Sequence, residues 1–271
     1  VNIINENHLI SFNEFNNIFD KNKSLIDYQE QFRKRLSWYY QQVLKISFSL
    51  NFILKYKKEI VIWDADTVIL NKIEFFKNNL SKKYGNFFEF HKEYYLTNKN
   101  ILKKLPNYFI SFLNQFIAIS EEECVYLIYN NIKIENFEKV SAVKMADLVI
   151  KSIFITHKNY NGSMFSEYEL IGQSQLIFNY KKQILISGIR ENLNGKLSNL
   201  QKNILKFLGF KYIAYEHTYR NMHSLNMLKR EQTWAKFFWI LIKKISNNLY
   251  RGAKHHINFF LGFSNKCNFK Y

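Results

Sequence analysis

Proline and glycine are scarce in this 271-residue chain, which contains one proline and eight glycines. Linkers between large domains are usually rich in these residues. The sequence therefore predicts one full domain, with at most a small helical appendage. The two cysteines, Cys124 and Cys267, lie far apart and exclude a disulfide framework or a zinc-ligand spacing.

Long apolar runs are also missing. No run approaches the ~20 residues that a helix needs to span a bilayer. The first residues lack the basic-then-apolar order of a signal peptide. We therefore expect a cytoplasmic protein, with room for peripheral contact at the inner face of the cell membrane.

Hydrophobic residues make up 47% of the chain and aromatic residues 18%, which excludes a disordered protein. The net charge of +17 favours anionic partners, although abundant Lys, Asn and Ile also suit an AT-rich genome. Most of the excess charge follows Lys181. No nucleic-acid-reading motif accompanies it, so nucleic acid is not an expected partner.

Hydrophobic spacing predicts an α/β fold. The predicted helices are Asp27–Lys55, Ile73–Asn79, Glu121–Asn131, Glu167–Asn179 and Leu197–Phe207, with Phe12–Phe19 as a short helix or a loop. The predicted strands are Val1–Ile4, Ile60–Trp63, Gly85–Phe90, Phe116–Ile119 and Ile153–Thr156. From Met222 onward, apolar and basic residues alternate as in an amphipathic helix. We therefore expect a domain over residues 1–221 and a basic helical tail over residues 222–271.

Two carboxylates, Asp64 and Asp66, follow the apolar run Ile60–Trp63, which is typical of a buried strand of a parallel sheet. Ligands bind at the carboxyl ends of such strands. Mn²⁺ and Mg²⁺ prefer hard oxygen ligands and often complete their shell with water and substrate phosphates. The pair therefore predicts a divalent-cation site for the diphosphate of a nucleotide sugar, although a solvated turn would give the same pattern.

A haloacid-dehalogenase-type phosphatase is the main alternative enzyme. In that class the first aspartate of a similar D-x-D string is the nucleophile and the second is a general acid or base. Such enzymes also need a later acidic pair for Mg²⁺. Asp147 is the only aspartate after Asp66, and no second carboxylate accompanies it.

Two further segments carry candidate site residues. Gln41, Gln42 and Lys45 share one predicted helix and could face a donor. Ser166 and Glu169 have the spacing of a capping box, whereas Glu167 has no such explanation and could bind acceptor hydroxyls or act as a base.

Four motifs occur in order from Arg35 to Gly172: W-Y-x-Q-Q-x-L-K, D-A-D-T-V-I-L, E-F-H-K-E-Y-Y and F-S-E-Y-E-L-x-G. Together they resemble a family of bacterial glycosyltransferases from lipopolysaccharide and capsule gene clusters. A late H-x-Y-R segment, His217–Arg220, matches more loosely. The segment 111–115 departs from the family, where histidines are commoner.

The resemblance implies a GT-A fold, which is a Rossmann-like mixed sheet flanked by helices. It also implies transfer of a sugar from a nucleotide-sugar donor, which we expect to be UDP-linked. The acceptor would be a glycan or a lipid-linked glycan. The implied metal and donor residues are Asp64, Asp66, His217, Arg220, Gln41, Gln42 and Lys45, with Glu167 and Glu169 on the acceptor side and His91 and Tyr94 after the sheet.

The number of strands before the aspartate pair indicates how much of the family domain the chain contains. A GT-A domain places two or three strands before its D-x-D strand, and here one candidate precedes it. We therefore expect roughly 60–70 N-terminal residues of the family domain to be absent, at ~30 residues for each βα unit. A catalytically inactive, basic, membrane-associated module is the alternative that follows.

Overall fold

A computed structural model describes residues 5–77, 80–85, 91–104, 111–112, 115–128, 141–160, 162–178, 183–185, 188–190, 196–215, 233–239 and 241–242. The chain is a mixed α/β protein that divides into two compact units. Unit 1 comprises Val1–Ile62, Glu74–Tyr84 and His91–Ile184. Unit 2 comprises Trp63–Ile73, Gly85–Phe90 and Leu185–Tyr271.

The helices are α1 (Phe12–Asn22), α2 (Gln29–Arg33), α3 (Leu36–Tyr56), α4 (Lys92–Leu102), α5 (Glu121–Leu127), α6 (Ala142–Thr156), α7 (Glu167–Phe178) and α8 (Asn199–Phe207). Short 3₁₀ turns precede α1 and α2, at Glu6–His8 and Lys23–Leu25. The strands are β1 (Ile60–Trp63), β2 (Thr67–Ile69), β3 (Phe76–Lys77), β4 (Leu80–Ser81), β5 (Lys83–Gly85), β6 (Phe116–Ile119), β7 (Gln183–Leu185), β8 (Gly188–Arg190) and β9 (Tyr212–Ala214). Among the described residues, no helix is both long and apolar enough to cross a bilayer.

Unit 1 is mainly helical, and α3 runs through its core. Tyr39, Val43, Ile46, Leu50 and Ile53 recur at three- and four-residue intervals on α3, and all are buried. This face packs against α1, α5, α6 and α7. The strand β6 pairs with β1 and is buried along its whole length. It contacts α7, so that the sheet and the helices share one core.

Unit 2 is built on a three-stranded sheet of order β2-β9-β8. Strands β2 and β9 are antiparallel, with Thr67 opposite Ala214, and β8 and β9 are parallel. Helix α8 begins with a capping box between Ser198 and Gln201. Among the described residues, the core of unit 2 contains the following buried side chains: Leu197, Leu205, Phe210, Ile213, Phe237 and Leu241. Part of the predicted tail therefore packs inside this unit.

Several sequence predictions are confirmed. Strands β1 and β6 and helix α8 lie where they were expected, and α1 resolves the choice at Phe12 in favour of a helix. Helices α5 and α7 start as predicted; residues 129–131 and 179 lie outside the described part of the chain. Also outside it are residues 1–4 and 86–90, so that the Val1–Ile4 strand and most of the Gly85–Phe90 strand stay predictions.

Two element predictions are wrong. The predicted strand Ile153–Thr156 is the last turn of α6, because Met145, Val149 and Ile153 continue one buried helical stripe while Ile155 faces solvent. Tertiary packing here overrides the β-propensity of branched residues. Within the predicted helix Ile73–Asn79, Phe76–Lys77 is instead a strand that pairs with β4.

Two other predictions were right in kind and wrong in detail. The predicted helix Asp27–Lys55 is two helices, since α2 ends at Arg33 and α3 starts at Leu36, with no glycine or proline to signal the break. In β1 only Ile62 is buried, so the strand is partly exposed where a buried strand was expected, and in the described residues it pairs with β6 in a two-stranded sheet. Instead of one mixed sheet, the described strands form four small sheets.

Candidate functional site

The aspartate pair occupies the turn between β1 and β2. Thr67 N–H donates a hydrogen bond to the Asp64 carbonyl at 3.2 Å, which closes the turn. Tyr215 N–H, directly after β9, donates to the Asp66 carbonyl at 2.9 Å. The backbone of both aspartates is therefore fixed by hydrogen bonds within unit 2, as expected for residues at the carboxyl end of a strand.

The two carboxylates differ in exposure. Asp64 is half-buried and Asp66 is exposed, and the Thr67 hydroxyl donates to Asp66 Oδ1 at 3.5 Å. A pair of hard oxygen donors on an anchored turn fits Mn²⁺ or Mg²⁺, which keeps several ligands from water and substrate phosphates. Among the described residues, no group of three or more His, Cys, Asp or Glu side chains could hold a metal ion. The predicted further ligand His217 and the predicted diphosphate contact Arg220 lie outside those residues.

In unit 1, two of the recognised motifs are joined along one face of α3. The contacts recur about once per helical turn, as side chains at three- and four-residue intervals require. They are Arg35 with the Ser163 hydroxyl, Tyr39 OH with Met164 N–H (3.1 Å), Gln42 Oε1 with Glu167 N–H (3.0 Å) and Lys45 Nζ with Glu167 Oε1 (2.8 Å). The motifs W-Y-x-Q-Q-x-L-K and F-S-E-Y-E-L-x-G thus form one structural assembly.

The centre of this assembly is a charged pair at the start of α7. Glu167 is 1% exposed, whereas the Lys45 side chain keeps 27% of its surface exposed. Gln42 accepts the Glu167 N–H, one of the donors that the first turn of a helix leaves unpaired. Lys45 Nζ also lies 5.1 Å from the centre of the Tyr168 ring. Gln41, by contrast, is exposed.

Glu169 forms a second buried carboxylate network. Its Oε1 accepts from the Ser111 hydroxyl and from Phe112 N–H (3.0 Å), and its Oε2 accepts from Gln173 Nε2 (3.1 Å). One of the two bonds of the predicted capping box is present: the Glu169 N–H donates to Ser166 Oγ at 3.5 Å. The Glu169 carboxylate instead accepts from Ser111, Phe112 and Gln173. Glu169 therefore links α7 to Ser111 and Phe112, in the segment 111–115 that differs from the family pattern.

Helix α4 adds polar contacts that the sequence analysis missed. Thr97 Oγ1 lies 2.8 Å from His157 Nε2 and donates to the Met164 carbonyl at 2.6 Å. Asn98 Nδ2 donates to Gln173 Oε1 at 3.2 Å. The sequence signal that could have found these contacts is helical spacing, because Thr97 and Asn98 lie on the same apolar face as Tyr94 and Ile101. Two polar residues on a core-facing stripe indicate buried partners.

Burial lowers the pKa of His157 from its ordinary value, and the carboxylate and backbone of Glu93 partly oppose that shift. Burial therefore favours the neutral form of this ring. His91 and Tyr94, two residues of the third motif, stack on each other with ring centroids 4.8 Å apart. In unit 1 the structure thus brings together α3, α4 and α7, the carriers of three of the four motifs.

The chain was compared with protein-family models, with curated proteins and with solved structures, and none of them matches it. Function is therefore inferred from the residues themselves, above all from the aspartate pair of unit 2 and the α3–α7 assembly of unit 1.

Proposed function

We propose that this chain is a metal-assisted glycosyltransferase with a GT-A-type fold. It would move a sugar from a nucleoside-diphosphate donor, UDP-linked by preference, to a surface glycan or lipid-linked glycan acceptor. One observation carries the proposal: Asp64 and Asp66 lie in an anchored turn directly after β1, with carboxylates that differ in exposure. The ordered series of motifs supports it.

The reaction accounts for the need for acidic residues. An acceptor hydroxyl attacks the anomeric carbon of the sugar, the bond from that carbon to the diphosphate oxygen breaks, and the hydroxyl proton is released. Negative charge develops on the leaving nucleoside diphosphate. A divalent cation held by Asp64 and Asp66 would neutralise that charge. Asp64 and Asp66 would hold that cation and through it would orient the donor diphosphate.

In unit 1 the proposal assigns Glu167 a positioning role. Its carboxylate is almost fully buried and 2.8 Å from the Lys45 ammonium group, which is the more exposed partner. Direct contact between Glu167 and an acceptor would require this pair to separate. A fixed, partly exposed ammonium group is suited to an anionic substrate group. Lys45 is therefore the substrate-facing member of the pair in this proposal.

Donor turnover with and without Mn²⁺ tests the function. Release of nucleoside diphosphate from a panel of nucleotide sugars should require the metal and should be lost in Asp66→Asn and Asp64→Asn, which keep side-chain shape and remove charge. Asp147→Asn is the matched control, because Asp147 bonds Asn22 and Lys151 in unit 1. Mn²⁺ titration in the presence of UDP gives a second readout. Turnover that is equal in Asp66→Asn and wild type would contradict the proposal.

The same protein samples distinguish the phosphatase alternative. Hydrolysis of p-nitrophenyl phosphate that depends on Asp64 would favour it. This alternative needs a later carboxylate for Mg²⁺, and Asp147 does not support it. Its Oδ1 accepts from Asn22 of α1 at 3.3 Å and its Oδ2 from Lys151 of α6 at 2.6 Å. Full folding without either activity would favour the inactive module.

A further inference from the structure

The helical segment within residues 234–242 carries two apolar stripes, one buried and one exposed. Residues 234–239 and 241–242 are helical. Phe237 and Leu241, four residues apart, are buried in the core of unit 2, at 2% and 8% exposure. Trp234, Phe238 and Ile242, also spaced by four, lie one position further around the helix and are 42%, 47% and 59% exposed. Several large apolar side chains of this segment thus face outward.

The exposed stripe is held in place by the buried one. The Trp234 ring lies 5.8 Å from the Phe238 ring and 5.7 Å from the Phe237 ring, centroid to centroid. Phe237 in turn packs with Leu205 of α8 and Ile213 of β9. The outward side chains are therefore presented on a packed helix. Trp239, 66% exposed, extends the same surface.

Positive charge surrounds this stripe in the sequence. Residues 185–271 contain fifteen Lys and Arg and three Glu, a net +12 of the chain's total of +17. Lys236 lies within the helical segment, and Lys243 and Lys244 follow it directly. Aromatic rings on a helix with flanking lysines are the composition of a segment that lies in a membrane interface.

We propose that Trp234, Phe238, Trp239 and Ile242 form a surface that docks on an anionic lipid bilayer. The rings and the isoleucine enter the boundary between headgroups and acyl chains, and the net positive charge of the chain favours anionic headgroups. A second copy of the chain is disfavoured as the occupant because both copies carry +17. Nucleic acid is disfavoured because an aliphatic side chain continues the aromatic stripe, and bases stack on rings. This inference goes beyond sugar transfer and does not depend on it.

Flotation of the full-length chain with vesicles tests the proposal. Binding to phosphatidylcholine vesicles that contain phosphatidylserine should be strong at low salt, weak at high salt, and absent with phosphatidylcholine alone. Each Lys near the surface contributes about fivefold to partitioning. Phe238→Ser and Trp239→Ser should each weaken binding by roughly tenfold, because each removes one buried aromatic group.

Ile155→Ser is the matched control, because Ile155 is 71% exposed on unit 1 and its loss should leave vesicle binding unchanged. Circular dichroism checks that each variant is folded. Should Phe238→Ser perturb the fold, Trp239→Ser decides alone, since Trp239 is the most exposed of the four side chains. Quenching of tryptophan fluorescence by lipids brominated in their acyl chains should report insertion, and Trp239→Ser should reduce it.

Two results would overturn the inference: a folded Trp239→Ser variant that binds like wild type, or equal binding to vesicles without phosphatidylserine. Asp66→Asn should bind vesicles like wild type, because docking needs neither metal nor donor. Failure of vesicle binding is thereby separated from failure of sugar transfer.

Discussion

Glu167 illustrates how a buried charge depends on its neighbours. Its carboxylate is 1% exposed, and Lys45 lies 2.8 Å away as its counter-charge. Removing one partner of such a pair leaves the other charge without compensation, at a cost that falls as the remaining group gains access to water. Because Lys45 is 27% exposed, it retains partial hydration.

We therefore expect Glu167→Gln to destabilise the chain by about 1–2 kcal/mol, less than a fully buried pair would lose. Urea unfolding of wild type and variant measures this difference. Glu30→Gln is the control, since Glu30 pairs with Lys34 on the surface, with side chains 82% and 70% exposed. Its loss should cost at most about 0.5 kcal/mol. Equal costs for the two variants would contradict the role of burial.

His157 gives the stability of the chain a dependence on pH. Burial lowers its pKa in the folded state below the ordinary 6.5, so the unfolded chain binds the proton more readily. Its stabilising contribution is therefore complete above about pH 7 and is lost as pH falls through 6.5 towards the folded pKa.

The expected result is a fall in urea midpoint between about pH 7 and pH 5 that is smaller in His157→Gln than in wild type. His8→Gln, at an exposed position, is the control and should keep the wild-type dependence. An unchanged pH dependence in His157→Gln would show that other groups cause it.

At the scale of elements, adjacent residues of one helix can have opposite roles. Phe237 is 2% exposed in the core of unit 2, and Phe238 is 47% exposed. Phe237→Ala should cost about 3–4 kcal/mol through the cavity it leaves. Phe238→Ala should cost at most about 1 kcal/mol. Thermal or urea unfolding of the two variants compares them directly, and equal losses would place the helix elsewhere than in this core.

Helix α7 offers a test of close packing. A Cβ at Gly172 would meet the ring of Phe112, which is itself buried. Gly172→Ala should therefore destabilise the chain by about 1–3 kcal/mol through overpacking, despite the better helix propensity of alanine. Adding Phe112→Leu should recover part of that loss by making room. A double variant that loses the full sum of both single effects would contradict direct contact.

The sequence predicted those elements that carry a clear local signal, such as a helical period, a helix-capping pattern or a short run of apolar residues. Helices α7 and α8 and strand β6 are such cases, and the turn that carries Asp64 and Asp66 lies where its preceding apolar run indicated. The prediction from sequence failed at Ile153–Thr156. These four β-branched or aromatic residues end helix α6, which begins eleven residues before Ile153. The sequence also could not show that Glu169 bonds Ser111 or that Asn98 bonds Gln173, because nothing local identifies partners that are 58 and 75 residues apart.

At the scale of the whole molecule, unit 2 is assembled from distant parts of the chain. Its sheet needs β2, from residues 67–69, beside β9, from residues 212–214. Residues 185–271 expressed alone should therefore lack a cooperative thermal transition, because β9 loses its antiparallel partner and the backbone bond from Tyr215 to Asp66. Calorimetry against the full chain checks this, and a sharp transition in the fragment would show that β2 is dispensable.

The same pairing has a consequence during protein synthesis. After Thr67 the ribosome must add 147 residues to reach and include its partner Ala214. At ordinary elongation rates this takes on the order of 10 s. For an interval of that length Val68 and Ile69 lie outside the exit tunnel without the strand that pairs with them. The nascent chain should therefore present an apolar edge to chaperones, and pausing of translation before β9 leaves the tunnel should lower the yield of native protein more than pausing after it.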